Sequence, residues 1–239
     1  MGTVLLKGVG QVTISGRHAA DLGGSGIDPR YAERADWYST DGFGVAEVLG
    51  HDEQTRNGYA YTGGLVIPYT HTTPTTYRVR PDWGPTKFKM PKYLSRKGAA
   101  PRVYIPPQVA RDVFFSRRPL VVTEGEKKAL KASQEGIVCV GFAGCYGWSF
   151  RGGVIEDVGK IQLTPNRPVV IILDSDDDDP KHDVQRAAKR LHFHLASRGA
   201  KVKTMWLPRK CGKGIDDYMV RFGSEKFREL VRLLSGVVV

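Results

Sequence analysis

The sequence predicts an α/β fold: a mainly parallel sheet flanked by helices, with a small α+β region attached at the N-terminal side. Three observations predict it. Pro168-Val169-Val170-Ile171-Ile172-Leu173 is an unbroken apolar run bounded by proline, the pattern of a strand buried on both faces. Leu120-Val121-Val122-Thr123 and Ile137-Val138-Cys139-Val140-Gly141 are two further short runs separated by a helical stretch, Lys127 to Glu135; strand, helix, strand at that spacing requires a crossover and parallel pairing. At 239 residues and 41% hydrophobic, the chain can bury a proper core in one large domain or two small ones. The expected division is an accessory α+β region at 1–80, a basic connector at 81–118 and the α/β domain at 119–239.

Met1 to Gly16 is apolar and glycine-punctuated, either a strand pair or an irregular start. Ala19, Ala20 and Leu22 predict a short helix ended by Gly23-Gly24. Asp28-Pro29 reads as an N-cap with proline at the first helical position, opening a helix through Tyr31, Ala32 and Ala35. Gly44 to Leu49 predicts another helix, stopped by Gly50. Leu65 to Tyr69 and Thr76 to Arg80 read as strands joined by a threonine-rich turn, with Pro68 suggesting an edge. Alternation along the second strand puts Arg78 and Arg80 on one face.

Trp83 through Arg118 carries Lys87, Lys89, Lys92, Arg96, Lys97, Arg102, Arg111, Arg117 and Arg118, opposed only by Asp112. Trp83, Phe88, Tyr93 and Tyr104 interleave with them. Cations neutralise phosphates and aromatic faces stack on bases, so the segment suits single-stranded DNA or RNA. A solvated loop with buried aromatic anchors has the same composition. The whole chain bears a formal net charge of +11, which also points to a polyanion as partner.

The central strand ends in Asp174-Ser175-Asp176-Asp177-Asp178-Asp179. Ligands of open α/β sheets bind just beyond the carboxyl ends of strands. Clustered carboxylates repel one another unless protonated or bridged by a cation, and an all-oxygen set favours Mg²⁺, Mn²⁺ or Ca²⁺ over zinc. A solvated acidic turn is the alternative. The loop Gly141 to Trp148 is glycine-rich but fits neither the Walker pattern nor the dinucleotide fingerprint; it reads as a floor of the site. Asp183 to Arg198 predicts a helix with Val184, Ala187, Ala188, Leu191 and Leu195 on one side. His192 and His194, two apart, face different ways and read as satisfied or exposed rather than as a metal pair. Lys201 to Leu207 predicts a strand, and Ser224 to Leu234 a terminal helix with a serine cap. Cys139, Cys145 and Cys211 form neither a disulfide framework nor metal knuckles, and no apolar run reaches the ~18 residues of a membrane span. A cytoplasmic protein with no membrane partner is expected.

Val121-Val122-Thr123-Glu124-Gly125 followed by Ile172-Leu173-Asp174-Ser175-Asp176 resembles the Toprim domain, a Rossmann-like fold shared by bacterial-type primases, topoisomerases, RecR-like repair proteins and some nucleases. Lys92-Tyr93-Leu94-Ser95, Tyr104-Ile105-Pro106-Pro107, Glu124 through Ala129 and Lys213-Gly214-Ile215-Asp216-Asp217 are similar to the Toprim-like domain of unknown function of plasmid and phage replication proteins. The resemblance spans about residues 15–220. Many Toprim enzymes carry a glycine soon after the second aspartate, where this chain has Asp177 to Pro180.

The resemblance implies that Asp174 and Asp176 hold Mg²⁺ or Mn²⁺ with Asp178 assisting. Glu124 would be catalytic, sharing the cation or handling a proton. It also implies a replicative helicase supplied in trans, while alternation and composition point to nucleic-acid contact by Arg78, Arg80, Lys87, Lys89, Lys92, Arg96 and Lys97. Asp216 and Asp217 either support the metal ligands or cap the last helix. Primase-like nucleotidyl transfer, phosphodiester cleavage and binding without turnover all fit these residues. Oligomeric state is not set by the sequence.

Overall fold

The computed structural model describes residues 13–51, 55–56, 59–175 and 183–236. The reading of Met1 to Gly16 therefore falls almost wholly outside the described residues.

The N-terminal region opens with helix α1 (Gly16–Gly24) and helix α2 (Pro29–Glu33). Asp28 caps α2, its side chain accepting from the Arg30 N–H. The helix stops short of Ala35 because Asp36 turns the backbone into the left-handed region at φ 62°. Strand β1 (Tyr38–Asp41) and helix α3 (Gly42–Leu49) follow, the latter capped by Asp41 and closed by Gly50. Strands β2 (Thr55–Arg56), β3 (Tyr59–Tyr69), β4 (Thr76–Trp83) and β5 (Leu94–Ser95) complete an antiparallel sheet. Its order is β1-β3-β4-β5, with β2 also paired to β3.

Pro68 does not mark an edge strand: β3 lies between β1 and β4. The proline is tolerated because β1 is short. Its last pair is Tyr38 with Val66, so no β1 ladder reaches Pro68 to need the missing N–H. Strand β3 alternates cleanly. Val66 packs under α3 with Val45, Leu49 and Val79, whereas Leu65, Ile67 and Tyr69 face the C-terminal half.

The connector is divided between the two sheets. Its β5 joins the first, and strand β6 (Val103–Tyr104) pairs antiparallel with a strand of the second. A 3-10 turn at Pro107–Val109 leads into helix α4 (Ala110–Phe115).

Strand β7 (Leu120–Glu124), helix α5 (Glu126–Gln134) and strand β8 (Cys139–Phe142) form the expected parallel crossover unit. A small hairpin, β9 (Ser149–Phe150) and β10 (Gly153–Val154), and helix α6 (Glu156–Lys160) intervene before strand β11 (Pro168–Ile172). Helix α7 (Asp183–Ser197), strand β12 (Lys201–Thr204), helix α8 (Ile215–Phe222) and helix α9 (Ser224–Ser235) end the chain. The sheet order is β12-β11-β7-β8-β6, parallel except at β6. This is the predicted α/β class, with the apolar run at β11 in the interior of the sheet.

Both faces of the sheet are covered. Val121, Val170 and Ile172 point to α5, α8 and α9 through Ala129, Leu130, Ile215, Met219 and Phe227. Leu120, Val122, Val169 and Ile171 point to α4, α6 and α7 through Val113, Val158, Leu191 and Leu195. The first of these clusters runs on into Leu22, Trp37, Leu65 and Tyr69, so apolar packing is continuous across the expected boundary between the halves.

Two polar anchors hold the connector and β11 in place. Asp157, 2% exposed, accepts from the Val103 N–H at 3.1 Å and sits 3.3 Å from Arg102. Arg167, 1% exposed, donates to four backbone carbonyls: Arg118, Val113, Gln162 and Asp112. Burial pulls its pKa down to about 10. Ser224 does not cap α9; the N-cap is Gly223 with no side-chain bond.

Candidate active site

The register of β7 and β11 decides which side chains meet. Ile172 is level with Thr123, so Glu124 ends one strand beside Leu173 of the next, and Asp174 follows at once. Both acids are half-buried at the carboxyl end of the sheet. Gly125 then takes φ 93° and ψ 149°, a region essentially reserved for glycine. Its N–H donates to the Phe142 carbonyl at 2.7 Å. A Cβ on the facing Gly141 would lie 2.5 Å from the Gly125 carbonyl oxygen. The Glu-Gly step thus turns β7 into α5 within one residue and brings the positive end of that helix to the acids.

A third carboxylate arrives from α8. The Ser175 N–H donates to the Lys213 carbonyl at 3.1 Å, holding this loop against the end of β11. Asp217 accepts from the Lys213 and Gly214 N–H groups at 2.8 and 3.3 Å, so it caps α8 rather than the last helix. Asp216, one residue earlier, is 8% exposed and turned inward, and its Oδ1 accepts no hydrogen bond.

Lys128, from the first turns of α5, enters this set. Its Nζ lies 3.0 Å from Oδ1 and 3.1 Å from Oδ2 of Asp174. The side chain runs past Gly214, where a Cβ would sit 2.1 Å from Lys128 Cε and 3.1 Å from Asp216 Oδ1. Burial opposes the Lys128 charge, but Asp174, then Asp216 and Glu124, outweigh it and hold the ammonium above its ordinary range. Burial also lifts Asp174 above the usual carboxylate range; Lys128 and Lys213 offset this only in part, and Asp216 adds to the rise. The glycine-rich loop lies close by: burial and then the Glu124 charge raise the Cys145 thiol.

Of the predicted metal ligands, Asp174 is placed, whereas Asp176 and Asp178 lie outside the described residues. No group of three or more His, Cys, Asp and Glu is clustered to hold a metal among the described residues. The donor chemistry nonetheless fits a hard cation: among the described residues Asp174 is held only by the Lys128 ammonium, and the buried Asp216 keeps an Oδ1 that accepts no hydrogen bond, which is costly for a buried acceptor. Lys128 was not assigned from sequence, and Asp216 was read either as a support for the metal ligands or as a helix cap. Both stood inside recognisable motifs, but their meeting depends on where α8 docks.

The predicted nucleic-acid residues divide into two groups. Arg78 and Arg80 do share a face of β4, and that face is turned inward. Arg78 pairs with buried Glu126 at 2.6 Å, and Glu126 also accepts from the Tyr69 hydroxyl at 2.6 Å. Arg80 and Lys127 both pair with Asp21. Lys87, Lys89, Lys92, Arg96 and Lys97 are exposed, as is Phe88 between the first two. Tyr104 is a core residue that accepts from Trp37 Nε1 at 2.8 Å. Tyr93 stacks under Arg78 and Lys92, with centroid distances of 4.8 and 5.8 Å. Burial, then Arg80, Lys127 and Lys128, depress the Lys92 pKa. Lys92 thus joins a cationic cluster at the rim of the acidic site.

Residues 113–226 match the profile of a family described as a domain of unknown function, DUF3854. No curated protein is significantly similar to the chain. The fold is similar to the Aquifex aeolicus primase, solved as its zinc-binding and RNA polymerase domains, at TM-score 0.60 and 20% identity. That match covers 92% of this chain and 56% of the other, so the chain spans little more than half of it. The RNA polymerase domain of Mycobacterium tuberculosis primase DnaG is similar at TM-score 0.61 and 16% identity, over 90% of this chain and 74% of that one.

Proposed function

We propose that this chain is a primase-like, Mg²⁺-dependent nucleotidyl transferase that joins nucleotides on a single-stranded template, in the DNA replication of a plasmid or phage. The observation that carries the reading is Asp174 paired with Lys128 at 3.0 and 3.1 Å, with Asp216 beside the same lysine stem and Glu124 ending the adjacent strand. A fold similar to primase polymerase domains supports it.

Asp174 and Asp216 would hold the ion, joined by Asp176 and Asp178. Bound there, Mg²⁺ lowers the pKa of an attacking hydroxyl and neutralises charge on phosphorus. The chain supplies the remainder. Glu124, on the adjacent strand, accepts the proton of the attacking hydroxyl. Lys92 and its cationic neighbours draw phosphate oxygens toward the strand ends. Lys87, Lys89, Arg96 and Lys97 extend that surface along the connector and hold the template backbone, with Phe88 available to stack on a base. A replicative helicase acting in trans would deliver the single strand.

The test is a primer-synthesis assay with labelled nucleotides, Mg²⁺ and a single-stranded template. New oligomers that vanish in Asp174→Asn support the proposal. Shortened template instead would make this a nuclease built on the same acids. Template binding with neither product would make it a binding module, and both of those results overturn the transferase reading.

A further inference from the structure

The half-buried Lys128 ammonium pairs with Asp174 at the end of β11, and its stem runs beside Asp216 of α8. Side-chain exposure is 17% for Lys128 and 15% for Asp174. Acids this close need a positive charge among them, and the fold provides one from its own chain. The contact is specific: Nζ reaches both oxygens of Asp174, at 3.0 and 3.1 Å. The path is built as well. Gly214 leaves a passage for the Lys128 stem that a Cβ at 2.1 Å from Cε would close. Asp216 Oδ1, buried beside that passage, keeps an acceptor without a hydrogen bond.

We infer that the Lys128 ammonium is the resident cation of this site, filling the place beside Asp174 and Asp216 where a divalent ion would bind, so that metal enters only by displacing it. The inference rests on the reading of these acids as cation ligands. A divalent ion in that place brings one more unit of charge to the same carboxylates, and its exchange for a tethered ammonium has a definite cost. The site is therefore charge-compensated without metal, and its metal affinity is held down by an internal competitor.

Mn²⁺ binding to the full chain, followed by electron paramagnetic resonance of the free ion, tests this without reference to turnover. Lys128→Met should bind Mn²⁺ at least tenfold more tightly than the unaltered chain, and Asp174→Asn should lose the site. Equal or weaker binding by Lys128→Met, with Asp174→Asn still defective, overturns the inference and leaves the proposed function standing. Absence of saturable binding to every variant overturns both. A second measurement avoids any substitution at Lys128. In the unaltered chain, acetylation of Lys128 by a water-soluble succinimidyl ester, read by peptide mass spectrometry, should rise several-fold as Mn²⁺ is added. Labelling that does not respond to Mn²⁺ speaks against displacement.

Discussion

The pair Glu126–Arg78 ties the hairpin of the first sheet to the helix that carries Lys128. Glu126 is 1% exposed and accepts from Arg78 and from Tyr69, each at 2.6 Å. Truncation by Glu126→Ala strands a guanidinium whose side chain is 18% exposed and a buried tyrosine hydroxyl. Breaking a buried pair from one side costs about 3–5 kcal/mol. Arg78→Met should cost less, about 2–3 kcal/mol, because Tyr69 still donates to the carboxylate. Replacing both partners with apolar residues removes the stranded charge, so Glu126→Leu with Arg78→Met should cost well under the sum of the singles. A coupling of about 2–3 kcal/mol is expected for residues in direct contact. Urea unfolding measures it. At a slope of about 3 kcal/mol/M, Glu126→Ala moves the midpoint down by roughly 1–1.7 M with the slope unchanged. The same variants decide what Arg78 does. As a scaffold residue, Arg78→Met should retain single-strand affinity while losing stability. Additive singles, or an Arg78→Met chain of full stability that no longer binds single strands, would refute the reasoning.

Charge reversal at Lys87, Lys89 and Lys92 together should weaken single-strand binding and reduce the slope of log affinity against log salt by about two, at roughly 0.7 per phosphate contact; an unchanged slope removes the connector from the interface. Arg167→Met strands the carbonyls that its guanidinium now satisfies. It should cost about 3–5 kcal/mol, seen as a lowered urea midpoint. Asp21 bears on acid stability. Burial raises its pKa, but Lys127 and Arg80 overcome this and hold it below the ordinary value of 3.8. Its contribution is thus present above pH 3.8 and lost as pH falls through the folded value. Asp21→Asn should cost about 1 kcal/mol at neutral pH and flatten the decline of the urea midpoint on acidification.

Much of the α/β half was legible because its signals are local. The apolar runs of β7, β8 and β11 need no partner to be read, and a strand with both faces buried has only the sheet interior to occupy. The Glu-Gly step could be read for a similar reason, since few residues tolerate the backbone angles of Gly125. Arg78 and Arg80 mark the limit. Alternation put them on one face, but whether that face meets solvent or Glu126 and Asp21 is a matter of docking between elements far apart in sequence. Lys128 was hidden for the same reason, and the choice between the two readings of Asp216 could not be made without it. Pro68 misled because the edge rule concerns a missing ladder partner, and β1 ends before reaching it. Ser224 misled because the helix begins at Ser224 itself, leaving Gly223 in the capping position. The expected ligands Asp176 and Asp178 fall outside the described residues and so neither add to nor subtract from the placed acids.

Strand β6 carries a practical lesson for dissecting the molecule. The family match starts at residue 113, after Val103 and Tyr104 have already zipped onto β8. A fragment cut at that boundary would leave the β8 backbone as a raw border open to other chains. It would also strip Leu65, Ile67 and Tyr69 from the shared oily layer against α5. Such a piece invites clumping through its naked strand, and dissection at that boundary would report on the cut rather than on the chemistry.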